Sequence, residues 1–260
     1  MNKAFPLLLC IFYFACADSS QKETKTVAST TTSEIKKTIA IDPKTIDSTK
    51  LNLNFTPKGN YEAIKQSITR DRSYFSKKLR HGKQKTIDSA AAYLYDKLLN
   101  ELIPHWYGTP WDFNGHTNIP NSGEIACGYF VSTTLKHLGF KLNRYKMAQQ
   151  AGLNEAMTLQ AKNNLKIYRN ISQNDLKTKI NQVYRDGLYF VGLSNHVGYV
   201  LIKNRELYFL HSSYCDNIVV IEKAATSPCF QSDMYVFAEI TTNEELVQKW
   251  IQNSAIPIQQ

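Results

Sequence analysis

Over the first two thirds of the chain the apolar positions recur at helical spacing; over the last third they alternate or run together in short bursts. Ile87, Ala91, Leu94, Leu98 and Leu102 fall three or four residues apart and Pro104 ends the run, which predicts a packing helix over residues 86–103. The stretch 61–80 is more weakly helical and strongly basic. A second clear helix begins at Cys127, with Phe130, Val131, Leu135 and Leu138 as its apolar positions and Gly139 closing it. Asn143 can cap a short helix over 144–151. Ser172 followed by Asp175 has the form of a capping box, and Leu176, Ile180 and Val183 mark a helix ending near Gly187. The period then changes to extended: residues 188–193, 197–202, 206–211, 218–221 and 234–240 read as about five antiparallel strands, before a last helix over 243–252. Residues 152–170 carry no clear pattern. Helices first and a meandering sheet afterwards define an α+β domain.

Composition extends this picture at the N-terminus. Lys3 precedes an apolar core over residues 4–15, too short to stay in a bilayer as a spanning helix, so 1–17 reads as an export signal. Ala15-Cys16-Ala17 fits ordinary signal cleavage, while Phe14-Ala15-Cys16 fits a lipobox in which Cys16 becomes the lipidated first residue. Residues 18–58, rich in Ser, Thr and Lys, are expected to be a flexible tether, which favours lipidation. An exported, periplasmic protein held to a membrane through a lipid anchor is the expectation. The remaining divisions are a helical region over 59–104, a catalytic core over 105–241 and a C-terminal helix and tail over 242–260. The net charge is +9, yet the lysines are scattered and no nucleic-acid motif is present, so a nucleic-acid partner is not expected. With 43% hydrophobic and 12% aromatic residues the rest of the chain is expected to pack as a globular monomer.

The candidate chemistry centres on Cys127. On the first turn of its helix the backbone N–H groups have no internal partner, so a thiolate there is expected to be stabilised and its pKa lowered. The alternative is a small buried hydrophobe. His196 opens one strand and His211 closes the next. A hairpin turning on Lys203-Asn204 sets the two directly opposite; a turn on Asn204-Arg205 sets His196 opposite Ser213 instead. In the first register His196 is placed to act as general base for Cys127, with His211 orienting its ring. His81, His105, His116 and His137 are expected to be ordinary structural residues. Cys215 and Cys229 flank the strand 218–221 and are candidates for a disulfide in an oxidising compartment.

These residues carry a family resemblance. Gly108-Thr109-Pro110-Trp111, Gly115, the run Ala126-Cys127-Gly128-Tyr129-Phe130-Val131, Gly139, Arg144 and Gln149 resemble the NlpC-type cysteine peptidases of bacterial cell walls. His196-Val197-Gly198-Tyr199-Val200 and Phe209-Leu210-His211-Ser212-Ser213 resemble that family's two histidine strands. The resemblance spans about residues 104–241. It implies a papain-like core that hydrolyses amide bonds in peptidoglycan stem peptides, with Cys127 as nucleophile, His196 as base, His211 as third polar residue, and no metal or cofactor. Trp111 stands where the family has a Tyr and can donate through its indole N–H; Tyr107, Gly128 and Ser212 are further substrate or oxyanion candidates. Ala126 replaces the family's Asp and Gly128 its Ser, which leaves open an amidase acting on a non-wall amide and a catalytically silent wall-binding lipoprotein. A zinc hydrolase built on His196, His211 and Cys127 has no recognisable zinc spacing behind it.

Overall fold

A computed structural model describes residues 46–259. The export signal, Cys16 and the tether up to residue 45 lie outside the described residues. Of residues 46–58, expected as the end of the tether, the stretch 46–55 is anchored by packed apolar side chains and 56–58 are exposed. Asp47 caps the short helix α1 (Ser48–Leu51) by accepting from the Thr49 and Lys50 N–H groups, and Ile46, Leu51 and Leu53 are buried. Three apolar side chains in a polar stretch are enough to dock it.

Helix α2 (Tyr61–Lys78), capped by Asn60, buries Ile64, Ile68 and Phe75 and leaves Arg70, Lys77 and Lys78 exposed, while Arg72 donates to the Gly139 carbonyl at 2.8 Å. Helix α3 (Lys83–Asp96) runs on through a π-helical turn (Lys97–Leu102) into a 3-10 turn (Ile103–His105) that carries Pro104. Together they make the packing helix read from the spacing. There follow α4 (Cys127–His137), α5 (Arg144–Ala148) capped by Asn143, and α6 (Gly152–Leu159). After them come strand β1 (Lys166–Arg169) and helix α7 (Gln173–Val183), capped by Ser172. The strands β2 (Gly187–Leu193), β3 (Val197–Lys203), β4 (Glu206–Ser213), β5 (Ile218–Lys223) and β6 (Met234–Glu239) precede helix α8 (Glu244–Ile251). The described residues thus form an α+β fold of eight α-helices and one six-stranded sheet. No helix among them is long and apolar enough to cross a membrane.

Every strand pair is antiparallel, in the order β1-β6-β2-β3-β4-β5. The sixth strand, β1, lies in the stretch that showed no pattern. It is a four-residue edge strand with an exposed Ile167, so it has no buried face to impose an alternation. Both sheet faces are covered. Phe190, Tyr199, Leu201, Leu210 and Val236 pack with the main helical layer, while Tyr189, Val200, Phe209, Tyr235 and Phe237 pack with Leu176 and Ile180 of α7. Two-sided burial is why β2 and β3 read as continuous apolar runs.

The β3–β4 hairpin corrects the preferred register. Its turn is Asn204-Arg205, both at positive φ (52° and 63°), and Lys203 pairs with Glu206. The Asn204 N–H donates to Asp186 Oδ2 at 3.1 Å and Asn181 Nδ2 donates to the Arg205 carbonyl at 2.9 Å, which holds a non-glycine residue in this conformation. In this register His211 continues the ladder opposite Gly198, and His196 lies just before β3.

Candidate active site

Cys127 is placed by a loop pinned at both ends of its approach. The Ile125 N–H donates to the Pro110 carbonyl, the Ala126 N–H to the Gly115 carbonyl, and Ser212 Oγ donates to the Ile125 carbonyl at 2.6 Å from inside the sheet. Ala126 supplies no side-chain cap, so the N–H groups of the first turn remain free for the sulfur. The backbone N–H groups of Val197, Gly128 and Cys127 itself face Sγ and favour its anion. Buried Arg144 fastens the loop to α4: it donates to Thr133 Oγ1 and to the His116 and Thr117 carbonyls. Gly128 is required by close approach, because a Cβ there would stand 2.7 Å from the Ala148 carbonyl oxygen.

His196 ends the tight turn between β2 and β3, where the Leu193 N–H donates to its carbonyl at 2.7 Å. Its Nε2 lies 2.7 Å from His211 Nδ1, so the two rings meet although the register is not the preferred one. His211 is directly opposite Gly198, and His196 is the next residue on the same face, a diagonal neighbour within side-chain reach. Gly198 makes room: a Cβ on it would lie 2.9 Å from His211 Cβ and 2.7 Å from Phe209 Cε2. Phe209 stacks on the His211 ring at 3.9 Å, and Tyr214 meets His196 edge-on at 5.1 Å.

A residue not read from the sequence completes the chain of hydrogen bonds. His211 Nε2 lies 3.0 Å from Glu222 Oε1, and Ser227 Oγ donates to the same oxygen at 2.6 Å. The tautomers follow from that acceptor. His211 donates through Nε2–H, so its Nδ1 accepts from His196 Nε2–H, and His196 Nδ1 is left with a free lone pair. That Nδ1 is buried with no partner in the protein. Glu222 is the other diagonal neighbour of His211, which faces Val220 across the β4–β5 ladder. Assigning that register from the turn after Ser213 would have located it.

Burial sets the charge states. His196 is held well below an ordinary histidine by desolvation and then by the neighbouring His211, and burial pushes His211 down to about 3, so both rings are neutral at pH 7. Burial likewise pushes the Cys127 thiol up to about 11, despite its three N–H neighbours, with the nearby Glu155 carboxyl adding to the rise. This corrects the expected low thiol pKa: the first-turn donors are real, but desolvation outweighs them. Glu155 on α6 is itself fully buried under Gly128, its Oε2 has no partner, and desolvation raises its pKa well above the ordinary carboxylate value. Half-buried Glu222 is also raised, with Ser227 opposing the shift.

The other sequence candidates fare unequally. Trp111 is joined to the site through its ring contact with Tyr214 at 6.1 Å, and its indole Nε1 is buried and unpartnered, free to donate to a bound group. Ser212 is corrected: its only hydroxyl proton goes to the Ile125 carbonyl, so it positions the loop and has none to offer an oxyanion. Tyr107 packs edge-on against Phe55 in the helical layer, ring centroids 5.9 Å apart. Cys215 and Cys229 are joined by a disulfide, and Cys127 is the free cysteine among the described residues. One ligand atom each from His196, His211 and Cys229 lie within 4.8 Å of one another; Cys127 is not part of that group. Comparison with family models, with curated proteins and with solved structures finds no match to this chain.

Proposed function

We propose that the protein is an exported cysteine hydrolase that cleaves amide bonds in peptidoglycan stem peptides. The observation that carries the reading is the oriented base: His196 has Nε2 tied to His211, a bare Nδ1, and a chain neighbour, Val197, whose N–H faces the Cys127 sulfur. A papain-like core belongs to the same proposal, supported by a helix-start cysteine laid on an antiparallel sheet whose successive strands bring in the two histidines.

Because thiol and imidazole are both neutral at rest, the proton moves during attack rather than before it. The Cys127 proton passes to His196 Nδ1 as Sγ bonds to the substrate carbonyl carbon. The new imidazolium is stabilised through His211 to Glu222. The Cys127 backbone N–H and the Trp111 indole are the donors proposed for the oxyanion. Collapse expels the amine, which leaves with the proton from His196, and a thioester remains. Water then attacks, His196 takes its proton and returns it to the leaving sulfur, and the carboxylic acid departs. The wall-peptide substrate rests on the motif resemblance, with Ala126 and Gly128 marking where the substrate-binding residues depart from it.

Digestion of sorted muropeptides by the protein and by its Cys127→Ala variant, with products identified by mass spectrometry, tests the proposal. Cleavage lost in the variant is expected. A second reading, a catalytically silent peptide-binding lipoprotein, is favoured by one observation, the raised pKa of Cys127. Absence of any cleavage by the protein, while it still binds the same muropeptides, would select it.

A further inference from the structure

We propose that His196, His211 and Cys229 form a redox-gated site for a thiophilic divalent cation, with zinc as the fitting ion. The three residues come from three separate elements, the β2–β3 turn, β4 and the 3-10 turn Pro228–Phe230, which is why no zinc spacing shows in the sequence. All three are buried, and one ligand atom from each lies within 4.8 Å of the others. A tetrahedral site with Zn–N about 2.0–2.1 Å and Zn–S about 2.3 Å sets its ligand atoms roughly 3.3–3.6 Å apart. The 2.7 Å His196–His211 hydrogen bond would open by about 0.6 Å to admit such an ion, a shift of ring orientation rather than of backbone. His211 Nε2 is already bonded to Glu222, the carboxylate–histidine pairing that orients metal-bound imidazoles. Two imidazoles and a thiolate select zinc-like ions over magnesium or calcium.

In the disulfide form Cys229 has no thiolate to give, so the site is closed. Its partner Cys215 lies on the exposed turn after β4, whereas Cys229 is buried beside the histidines. A dithiol reductant therefore meets Cys215 first. Its thiolate attacks Cys215 Sγ, the Cys215–Cys229 bond breaks, and the electron pair leaves on Cys229 as a thiolate. The reductant's second thiol then releases Cys215 and carries away the disulfide. Cys229 stays in position by other means: Ser227 caps its turn by accepting from the Phe230 N–H, and Phe230 packs on Phe209. Metal then binds Cys229 and both rings. If His196 is the base proposed above, ligation through Nε2 moves the ring proton to Nδ1, the atom that would accept from Cys127, so reduction in the presence of zinc would switch hydrolysis off.

The test does not depend on hydrolysis. The full chain carrying Cys10→Ser, Cys16→Ser and Cys127→Ala keeps only the disulfide pair of cysteines. It is titrated with cobalt(II), whose thiolate charge-transfer absorption reports a Cys ligand. No such band is expected before reduction, and one cobalt per chain after treatment with a phosphine. Adding Cys215→Ser should produce the band without reductant. Adding Cys229→Ser should abolish it under both conditions, although both variants lack the same disulfide. Zinc should raise the melting temperature of the Cys215→Ser protein and not that of the Cys229→Ser protein. Equal binding by the two variants, a band in the oxidised chain, or a Cys215→Ser protein that neither binds cobalt nor gains stability from zinc would each overturn the proposal.

Discussion

Glu222 offers the sharpest test of the hydrogen-bond chain because its two partners converge on a single oxygen. His211 Nε2 and Ser227 Oγ both donate to Oε1, at 3.0 and 2.6 Å. In Glu222→Gln a carboxamide oxygen can take that place, keeping His211 as donor and His196 Nδ1 free. What is lost is the negative charge that faces the imidazolium formed on His196 during attack. At roughly 8 Å and an effective dielectric of about 20, that charge is worth about 2 kcal/mol, or roughly 30-fold in rate. Glu222→Ala removes the acceptor as well, leaving a buried imidazole N–H unpaired at a cost of about 1–3 kcal/mol and freeing His211 to adopt the other tautomer. The combined loss is about 3–5 kcal/mol, or roughly 10²–10⁴-fold in kcat/KM. The assay is muropeptide hydrolysis at pH 7, run below the melting temperature of each variant, with the iodoacetamide alkylation rate of Cys127 measured in parallel. The expected ranking is wild type above Gln above Ala in hydrolysis. An Ala variant within about threefold of wild type, or a Gln variant as damaged as Ala, would refute the tautomer argument.

Glu155→Gln should increase the alkylation rate of Cys127 under alkaline conditions, because any ionised fraction of the buried carboxyl opposes the thiolate; an unchanged or lower rate across the alkaline range counts against that coupling. Gly198→Ala forces a Cβ to within 2.7–2.9 Å of Phe209 and His211, so urea unfolding should show a loss of about 1–3 kcal/mol, and a neutral result would contradict the close packing of β3 on β4. Burial lowers His137 and His211 to about 3, and His196 in the same direction, so between an ordinary histidine value near 6.5 and about 3 the unfolded chain binds more protons than the folded one. Their contribution is therefore fully present above about pH 6.5 and lost on acidification, while Glu155, raised by burial, works in the opposite sense, its contribution fading as pH rises past about 4.5. His137→Gln should accordingly lose less stability than wild type between pH 7.5 and 5 in paired urea titrations, and an equal loss would remove His137 from the account.

The helices were legible wherever a cap and a one-sided apolar stripe coincided. Ser172 with Asp175 before Leu176 and Ile180 gave α7, and Asn143 gave α5, because both signals are local. Strand β1 was not legible, since a short edge strand with exposed Ile167 leaves no burial trace. The pKa of Cys127 was misjudged for a related reason. The N–H donors of a helix start can be read from position, but the burial that outweighs them is set by the tertiary packing around the sulfur, and the Glu155 carboxyl that adds to the rise comes from α6, further along the chain.

The histidine pair shows why a wrong register still led to the right partners. Moving a hairpin turn by one residue shifts the pairing by two, and side chains alternate faces with a period of two, so the shift carries His196 from directly opposite His211 to diagonal from it without changing the face. The same rule applied to the other edge of β4 leads from Val220, opposite His211, to Glu222. His211 is thus held between two diagonal neighbours, His196 just before β3 and Glu222 on β5, while the position directly opposite it on β3 is occupied by Gly198, the residue whose missing Cβ lets the rings approach. A cross-strand site of this kind is specified by face and by the small residue in its middle more than by exact pairing. Any histidine strand with a glycine opposite it therefore repays a search two residues along each neighbouring strand for the groups that complete its hydrogen bonds.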